Sequence, residues 1–277
     1  MKGTRISVNG ITLNVIVEGE GPDVVLLHGF PDSSHLWRSQ IPALVRAGYR
    51  VIVPDLRGSG DSDAPKGVKS YGIDTLVGDV IGIMDKLGSK RATVIGHDWG
   101  CVLGWHVTIA HPARVERYVA ISVGHPVSYG RGGIEQKLRG WYAVSFLLPF
   151  VPEILARVFN WSGARLLTQN HPEMDAWIRD KSRPGRLTAA INWYRANIFR
   201  LLFGRPANAT VPVFGIWSSG DIYLTERQMV RSRSYVDGPW RYERIDNASH
   251  WIPLDAPERL NSLLVEYLGT PAAQLAK

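Results

Sequence analysis

Apolar and polar residues follow two different periods along the first half of the chain. Some segments alternate or run continuously apolar over four to seven residues, which is typical of strands. Others repeat apolar residues at helical spacing. Strands are predicted at 11–17, 24–27, 49–53, 92–95 and 118–123, and helices at 36–46, 73–87 and 101–110. This order of strands and helices predicts an α/β fold, with a mostly parallel sheet flanked by helices.

The pattern changes after His125. Residues 126–209 contain few strand-like runs and many helix-compatible ones, rich in Trp, Tyr and Phe. Strand character returns at 211–217 and 241–245, and a last helix is predicted at 257–268, before a tail that we expect to fray. We therefore predict a core of 1–125 and 210–277, interrupted by a helical cap, or lid, at 126–209. Such a cap would cover the carboxyl ends of the strands, where open α/β sheets place their pockets.

Composition and charge argue against several classes of protein, among them nucleic-acid-binding, secreted and membrane-spanning proteins. The 277 residues fit one domain with a large insertion. The net charge is +7, but the charges are scattered, so nucleic-acid binding is not predicted. Cys101 is the only cysteine, which excludes an internal disulfide and fits a reducing compartment. Residues 1–14 lack the apolar core of a signal peptide, and no stretch approaches about 20 apolar residues. We expect a cytoplasmic monomer or homodimer without membrane insertion.

The segment Gly96-His97-Asp98-Trp99-Gly100 carries the most specific signal in the chain. It lies between a predicted strand and an apolar helix. Gly-x-nucleophile-x-Gly at such a turn is the nucleophile elbow of the α/β-hydrolase fold, where the glycines let strand and helix approach closely. Asp98 takes the place of the nucleophile. The alternative is that Asp98 only caps the following helix, since aspartate is a good N-cap.

An aspartate at this position changes the expected chemistry. A serine that attacked a saturated carbon would leave an ether, which an activated water cannot readily open. A carboxylate leaves an ester, which water hydrolyses at the enzyme's own carbonyl. Asp98 therefore favours alkyl transfer followed by ester hydrolysis.

Asp221 and His250 follow Asp98 in the order nucleophile, acid, histidine that this fold uses. Asp221 comes directly after a predicted strand, and His250 lies in a polar loop after the last one. We predict that His250 activates water and that Asp221 orients its imidazole. A plain turn role is the alternative for Asp221, and Asp246 is the rival acid.

An oxyanion hole is predicted at two backbone N–H groups, those of Trp99 and Phe30. Phe30 lies in His28-Gly29-Phe30-Pro31, immediately after a predicted strand. A simple Gly-Pro turn is the alternative for this segment. His28 and His97 adjoin the two motifs, and we expect them to support loops.

The segments 28–31, 55–63 and 96–100 together resemble the epoxide hydrolases of the α/β-hydrolase fold, and the resemblance extends through most of the chain. It implies that Asp98 attacks an epoxide carbon while two cap tyrosines bind the epoxide oxygen. Segment 191–195 resembles the second tyrosine motif and nominates Tyr194, and segment 141–146 resembles the first and nominates Tyr142. The alternative for each tyrosine is a packed cap aromatic.

The implied reaction converts a small-molecule epoxide and water to a vicinal diol, with no metal or organic cofactor. A haloalkane dehalogenase is the alternative enzyme, because it shares the aspartate and a tryptophan after it. A non-catalytic ligand-binding protein of the same fold is the alternative outside enzymes. Aromatic residues near the elbow and in the cap suit aryl or alkyl epoxides. The predicted substrate contacts are Phe30, Trp99, Trp141, Phe146 and Trp193.

Overall fold

An eight-stranded sheet forms the centre of the computed structural model, which describes residues 3–271 and Gln274. Its order is β1-β2-β4-β3-β5-β6-β7-β8. The pairs β1–β2 and β2–β4 are antiparallel, and the other five are parallel. The predicted mostly parallel α/β sheet is therefore confirmed. The strands are β1 Thr4–Val8, β2 Ile11–Glu18, β3 Asp23–Leu27, β4 Arg50–Pro54, β5 Ala92–His97, β6 Val115–Ile121, β7 Val213–Ser218 and β8 Trp240–Ile245.

Helices flank this sheet and fill the long interval between β6 and β7. Those outside the interval are α1 Gln40–Arg46, α2 Ile73–Lys86, α3 Trp99–Ala110, α11 Glu226–Val230, α12 Ile252–Asp255 and α13 Pro257–Gly269. Those inside it are α4 Pro126–Gly130, α5 Gly133–Arg139, α6 Trp141–Ser145, α7 Val151–Val158, α8 Ser162–Leu167, α9 Met174–Lys181 and α10 Arg186–Phe203. Short 3-10 turns lie at Ser34–Trp37, Val68–Tyr71, Pro112–Arg114 and Arg231–Tyr235.

Each face of the sheet packs an apolar layer. One layer joins the sheet to α2 and α3 and contains Trp105 and Tyr118. The other joins it to α1 and α13 and contains Trp37 and Tyr267. Strands β5 and β7 are buried along their whole length, as expected for central strands covered on both faces.

Strand β1 and the region of α1 differ from the sequence prediction, and the short helices α11 and α12 were not predicted. Strand β1 was not predicted, because only Ile6 and Val8 of its five residues are buried, which gives too short an alternation. The helix predicted at 36–46 is divided into a 3-10 turn that ends at Trp37 and the helix α1, which starts at Gln40. The predicted frayed tail after Gly269 lies partly outside the described residues.

We call residues 126–209 the helical insertion, because α4–α10 lie within it. It packs on the core through polar contacts of α10. The indole Nε1 of Trp193 donates to the carbonyl of Arg57 at 3.0 Å. Asn197 accepts from the backbone N–H of Ile73 and donates to the carbonyl of Tyr71, both at 2.8 Å. Its status as a separate cap domain stays a prediction.

None of the helices in the described part of the chain is long and apolar enough to cross a membrane. The cytoplasmic location and the choice between monomer and homodimer stay predictions.

The turn from β5 into α3 depends on the absence of a side chain at Gly100. A Cβ there would lie 2.1 Å from the carbonyl oxygen of Leu27 and 2.4 Å from that of His28. Both oxygens belong to backbone, which cannot rotate away. The second glycine of the elbow motif therefore brings α3 against the end of β3.

We predict that Gly100→Ala destabilises the protein by about 2–3 kcal/mol, the size of an overpacked core. The matched control is Gly163→Ala in α8, where a Cβ has no heavy atom within 4 Å and alanine improves helix propensity. Urea unfolding of both variants measures the difference. Equal stabilities would contradict this account of the elbow.

Candidate active site

Asp98 lies at the sharp turn between β5 and α3 with φ 53° and ψ −122°, a backbone conformation that is strained for a residue with a side chain. Its side chain makes no capping hydrogen bond to α3, so the N-cap alternative is wrong. Instead, the carboxylate Oδ1 accepts the backbone N–H of Phe30 at 2.7 Å. The strained turn thus presents the carboxylate to the loop after β3.

His250 lies between two carboxylates. Its Nδ1 is 2.8 Å from Oδ2 of Asp221, and its Nε2 is 3.5 Å from Oδ2 of Asp98. The other oxygen of Asp221 accepts the backbone N–H groups of Tyr223 and Leu224, at 2.8 and 2.9 Å. These two bonds fix the carboxylate that orients the imidazole.

The rival acid lies elsewhere. Asp246 is exposed and forms an ion pair with Arg244 at 2.8 Å. Of the two candidates, the structure brings only Asp221 into contact with His250. The sequence analysis chose Asp221 because it follows a predicted strand, and in the structure it follows β7.

The charges of these three residues are coupled. Burial by itself would lower the pKa of His250, but the carboxylates of Asp221 and Asp98 outweigh it and raise the pKa to about 10. Burial opposes ionisation of Asp98 too, yet His250 and the backbone N–H of Trp99 lower the pKa of its carboxyl. At neutral pH the site therefore holds an imidazolium between two carboxylates.

The two histidines next to the motifs make structural hydrogen bonds. His28 accepts the backbone N–H of Leu56 at Nε2, 2.9 Å away. His97 Nε2 lies 2.9 Å from the carbonyl oxygen of His250. Burial lowers the pKa of each to about 4, so both rings are neutral near pH 7. They hold the loops that carry Phe30 and His250.

A cavity of about 520 Å³ opens above Asp98 and His250, between the sheet and the helical insertion. Its walls are largely apolar and include Phe30 and Phe146. The rings of these two residues pack edge to face, with centroids 5.8 Å apart. Both were predicted from the sequence as substrate contacts, and both line the cavity beside the carboxylate.

Tyr142 and Tyr194 reach the same cavity from α6 and α10. Their ring centroids are 6.5 Å apart. Burial raises the pKa of both phenols well above 10. For Tyr194 the next largest cause is the negative charge of Asp98. Each hydroxyl therefore keeps its proton at neutral pH and can donate it in a hydrogen bond.

Three predicted substrate contacts do not line this cavity: Trp141, Trp193 and, as described below, Trp99. Trp141 is 61% exposed, because consecutive helical residues point about 100° apart and Tyr142 is the one that faces inward. Trp193 is buried and donates a hydrogen bond to the carbonyl of Arg57 in the core. It precedes Tyr194 on α10 and therefore points about 100° away from it. We therefore correct both assignments: Trp141 lies on the surface, and Trp193 anchors the helical insertion.

The side chain of Trp99 lies behind Tyr194, with ring centroids 4.9 Å apart. It lines a separate space of about 40 Å³ next to Asp98 and Tyr142. The ring of Trp99 thus supports that of Tyr194, and its predicted contact with substrate stays a prediction.

Asp32 is a buried residue near the site that sequence reasoning missed. Its two oxygens accept the indole N–H groups of Trp177 on α9, at 2.8 Å, and of Trp251, at 3.2 Å. Burial raises the pKa of its carboxyl to about 7. Asp32 thus connects the helical insertion to the residue after His250. Its position after Pro31 was the only signal, and the sequence does not show which indoles it meets.

No group of three or more His, Cys, Asp or Glu side chains is placed to hold a metal ion within 3–271 and Gln274.

We predict that the raised pKa of His250 makes stability depend on pH. An unfolded histidine titrates near 6.5, so the imidazolium stabilises the fold fully below about pH 6.5. This contribution is lost as the pH rises toward about 10. Unfolding free energies measured across that window should fall less steeply for His250→Gln than for the wild type. Parallel curves would show that His250 is not held charged.

Comparison with known proteins agrees with this geometry. Residues 22–257 match the family model described as alpha/beta hydrolase fold. The chain is 37% identical to the AB hydrolase superfamily protein YfhM of Bacillus subtilis, over 95% of this chain and 96% of that protein. It is 31% identical to Epoxide hydrolase 3 of Xenopus tropicalis, over 95% of this chain and 76% of that protein.

A solved structure is similar over nearly the whole chain. It is a Bacillus megaterium epoxide hydrolase in complex with an inhibitor, with a TM-score of 0.87 and 28% identity, and the match covers 96% of this chain and 100% of that one. The chain therefore belongs to the α/β-hydrolase fold family and, within it, to the epoxide hydrolases.

Proposed function

We propose that the protein hydrolyses epoxides to vicinal diols through an ester formed on Asp98. The observation that carries the proposal is the joint placement of three groups in one apolar cavity: an ionised carboxylate and two protonated phenols, those of Tyr142 and Tyr194. A carboxylate attacks a saturated carbon, and a phenol donates to the oxygen that leaves it.

Ring opening is the first step. Oδ1 of Asp98 is bound by the N–H of Phe30, which leaves Oδ2 as the attacking atom. The new C–O bond forms as the epoxide C–O bond breaks, and its electron pair goes to the epoxide oxygen. Tyr142 and Tyr194 donate hydrogen bonds to this developing alkoxide, and one of them supplies its proton. The product of this step is a hydroxyalkyl ester.

Ester formation prepares the second step. An ester carries no charge, so His250 loses one of the two carboxylates that raise its pKa. The imidazolium then gives up its proton more easily, and the tyrosinate formed in ring opening is an acceptor for it. Neutral His250, held by Asp221 at Nδ1, is free at Nε2 to act as a general base.

Hydrolysis completes the cycle. His250 takes a proton from a water that attacks Cγ of Asp98. The negative charge of the tetrahedral intermediate develops on Oδ1, which already accepts the N–H of Phe30. Collapse breaks the bond from Cγ to the ester oxygen, and the departing alkoxide takes the proton of the His250 imidazolium to become the diol. The carboxylic acid left at Asp98 returns its remaining proton to His250, which restores the carboxylate and the imidazolium.

The apolar cavity supports aryl or alkyl epoxides as substrates. A volume of about 520 Å³ lies within the range of small-molecule sites, and apolar walls favour apolar substituents. The tyrosine pair favours an epoxide over a haloalkane, because a halide leaves as a stable anion and needs no proton.

We predict that His250→Gln traps the ester. The variant retains Asp98 and both tyrosines, so it can be alkylated, but no base activates water. Intact-mass spectrometry after exposure to a racemic aryl epoxide should show the protein mass increased by one epoxide. Wild-type protein should instead release diol, measured by chromatography.

Asp98→Ala should abolish both the mass increase and the diol. The matched control is Asp246→Ala, which removes an exposed carboxylate near His250 in sequence and should leave turnover unchanged. Unmodified His250→Gln under conditions in which the wild type turns over would contradict the ester. Halide release from haloalkanes without any diol from epoxides would support the dehalogenase alternative.

We predict that Tyr142→Phe and Tyr194→Phe each slow ester formation by about a hundredfold, the usual scale for loss of a proton donor. Single-turnover alkylation in the His250→Gln background measures this step alone. The control is Tyr223→Phe, a cavity tyrosine whose hydroxyl already donates to the carbonyl of Leu167 at 2.6 Å. Equal rates for all three variants would assign the two tyrosines to packing.

A further inference from the structure

The net positive charge of the protein comes from the helical insertion. Residues 126–209 contain 12 Lys and Arg against 5 Asp and Glu, which gives +7. The rest of the chain has 20 of each and is neutral. The excess of basic over acidic residues therefore lies in the insertion, although no run of basic residues occurs there.

The same insertion carries most of the exposed large apolar side chains among the described residues. We define the α6–α8 surface by its exposed apolar members, which are Trp141, Val144, Leu148, Phe150, Val151, Ile154, Leu155, Val158, Phe159 and Leu166. Single exposed apolar residues are common on proteins, but a contiguous group marks an interaction site.

Helix α7 shows that this exposure is built in. An amphipathic helix normally turns its apolar stripe toward the core. In α7, Glu153 is the buried residue, and Ile154 and Val158 face solvent. Glu153 forms a two-pronged ion pair with Arg195 of α10, at 2.7 and 3.0 Å. This buried pair holds the polar side of α7 inward and its apolar side outward.

The exposed surface continues into the active-site cavity. Val151, Leu155, Phe159 and Leu166 are 40–80% exposed, and all four also line the cavity above Asp98. They form an apolar rim that connects the α6–α8 surface to the cavity.

Helices α6–α8 contain two basic residues, Arg157 and Arg165, and one acid, Glu153. Glu153 is the only acid in residues 140–170, and it is buried against Arg195. Arg157 is exposed on α7 and forms no ion pair with any described residue. Asp175 on α9 is the facing acid, and Arg165 of α8 neutralises it. Two copies meeting through this surface would bring their unpaired Arg157 side chains to the same interface, whereas an anionic lipid surface complements this charge.

We propose that the α6–α8 surface docks onto anionic lipid bilayers, with the rim of the cavity facing the lipid. The contact is interfacial, since apolar side chains enter the headgroup region while basic ones pair with lipid phosphates and carboxylates. Entry of apolar epoxides from the bilayer into the cavity rests on the proposed function. The docking itself does not.

Co-sedimentation of the full chain with vesicles tests the docking. One set of vesicles is pure phosphatidylcholine, and the other contains phosphatidylserine as well. We expect partition into the anionic set, little into the neutral set, and weaker partition at high salt. Arg157→Glu should reduce partition about tenfold or more, because it reverses one charge at the surface. The double variant Ile154→Ser, Val158→Ser should reduce it as well.

The control variants make the same types of substitution at exposed positions outside the helical insertion. Arg46→Glu alters an exposed arginine of α1, and Val265→Ser alters an exposed valine of α13, and both should partition like the wild type. Ile154, Val158 and Arg157 do not line the cavity, so turnover of a water-dispersed epoxide should be unchanged in their variants. Loss of diol formation in every protein would reject the proposed function without affecting the partition result.

Three outcomes would overturn the docking. They are absence of partition into anionic vesicles, equal partition into both sets, and surface variants that bind as the wild type does. Sedimentation velocity without lipid completes the test. A dimer that the double variant dissociates, in a protein that ignores vesicles, would assign the surface to a second copy of the chain.

Discussion

The site depends on one buried arrangement of charge, the imidazolium of His250 between the carboxylates of Asp98 and Asp221. The two carboxylates raise the pKa of His250, and His250, together with the backbone N–H of Trp99, lowers the pKa of the Asp98 carboxyl. Burial alone would oppose the ionisation of each group. The strained turn at Asp98 and the two N–H groups that bind Asp221 hold the arrangement in place. Neutralising Asp98 alters the charge balance of the whole group, which couples the two steps of the proposed reaction.

The cavity is lined by residues of both the core and the helical insertion. The ends of the strands carry Asp98 and Asp221, the proposed nucleophile and orienting acid, while α6 and α10 carry Tyr142 and Tyr194, the proposed proton donors. Trp193 and Tyr194 illustrate the division within α10: one anchors the insertion to the core, and its neighbour faces the cavity. Asp32, bonded to indoles from both parts, makes the position of the insertion part of the geometry around His250.

The insertion also has an outward side, whose character follows from the same contacts. The ion pair between Glu153 and Arg195 satisfies the only buried charge of α7 and leaves its apolar residues outside. The residues at the rim of the cavity are therefore both exposed on the outer surface and part of the cavity wall. In the proposed docking, substrate entry and contact with lipid take place on one surface.

The sequence by itself determined three features. They are the buried strands along the chain, the elbow at Asp98, and the chain order that nominated Asp221 and His250. These follow from local rules, because hydrophobic period and glycine placement act over a few residues. Tyr142 and Tyr194 required a family resemblance in addition. Only the tertiary structure decided that Trp141 faces solvent, that Trp193 anchors the insertion and that Asp32 meets two distant indoles. Such outcomes depend on how helices rotate and pack against each other, which long-range contacts fix and local sequence does not.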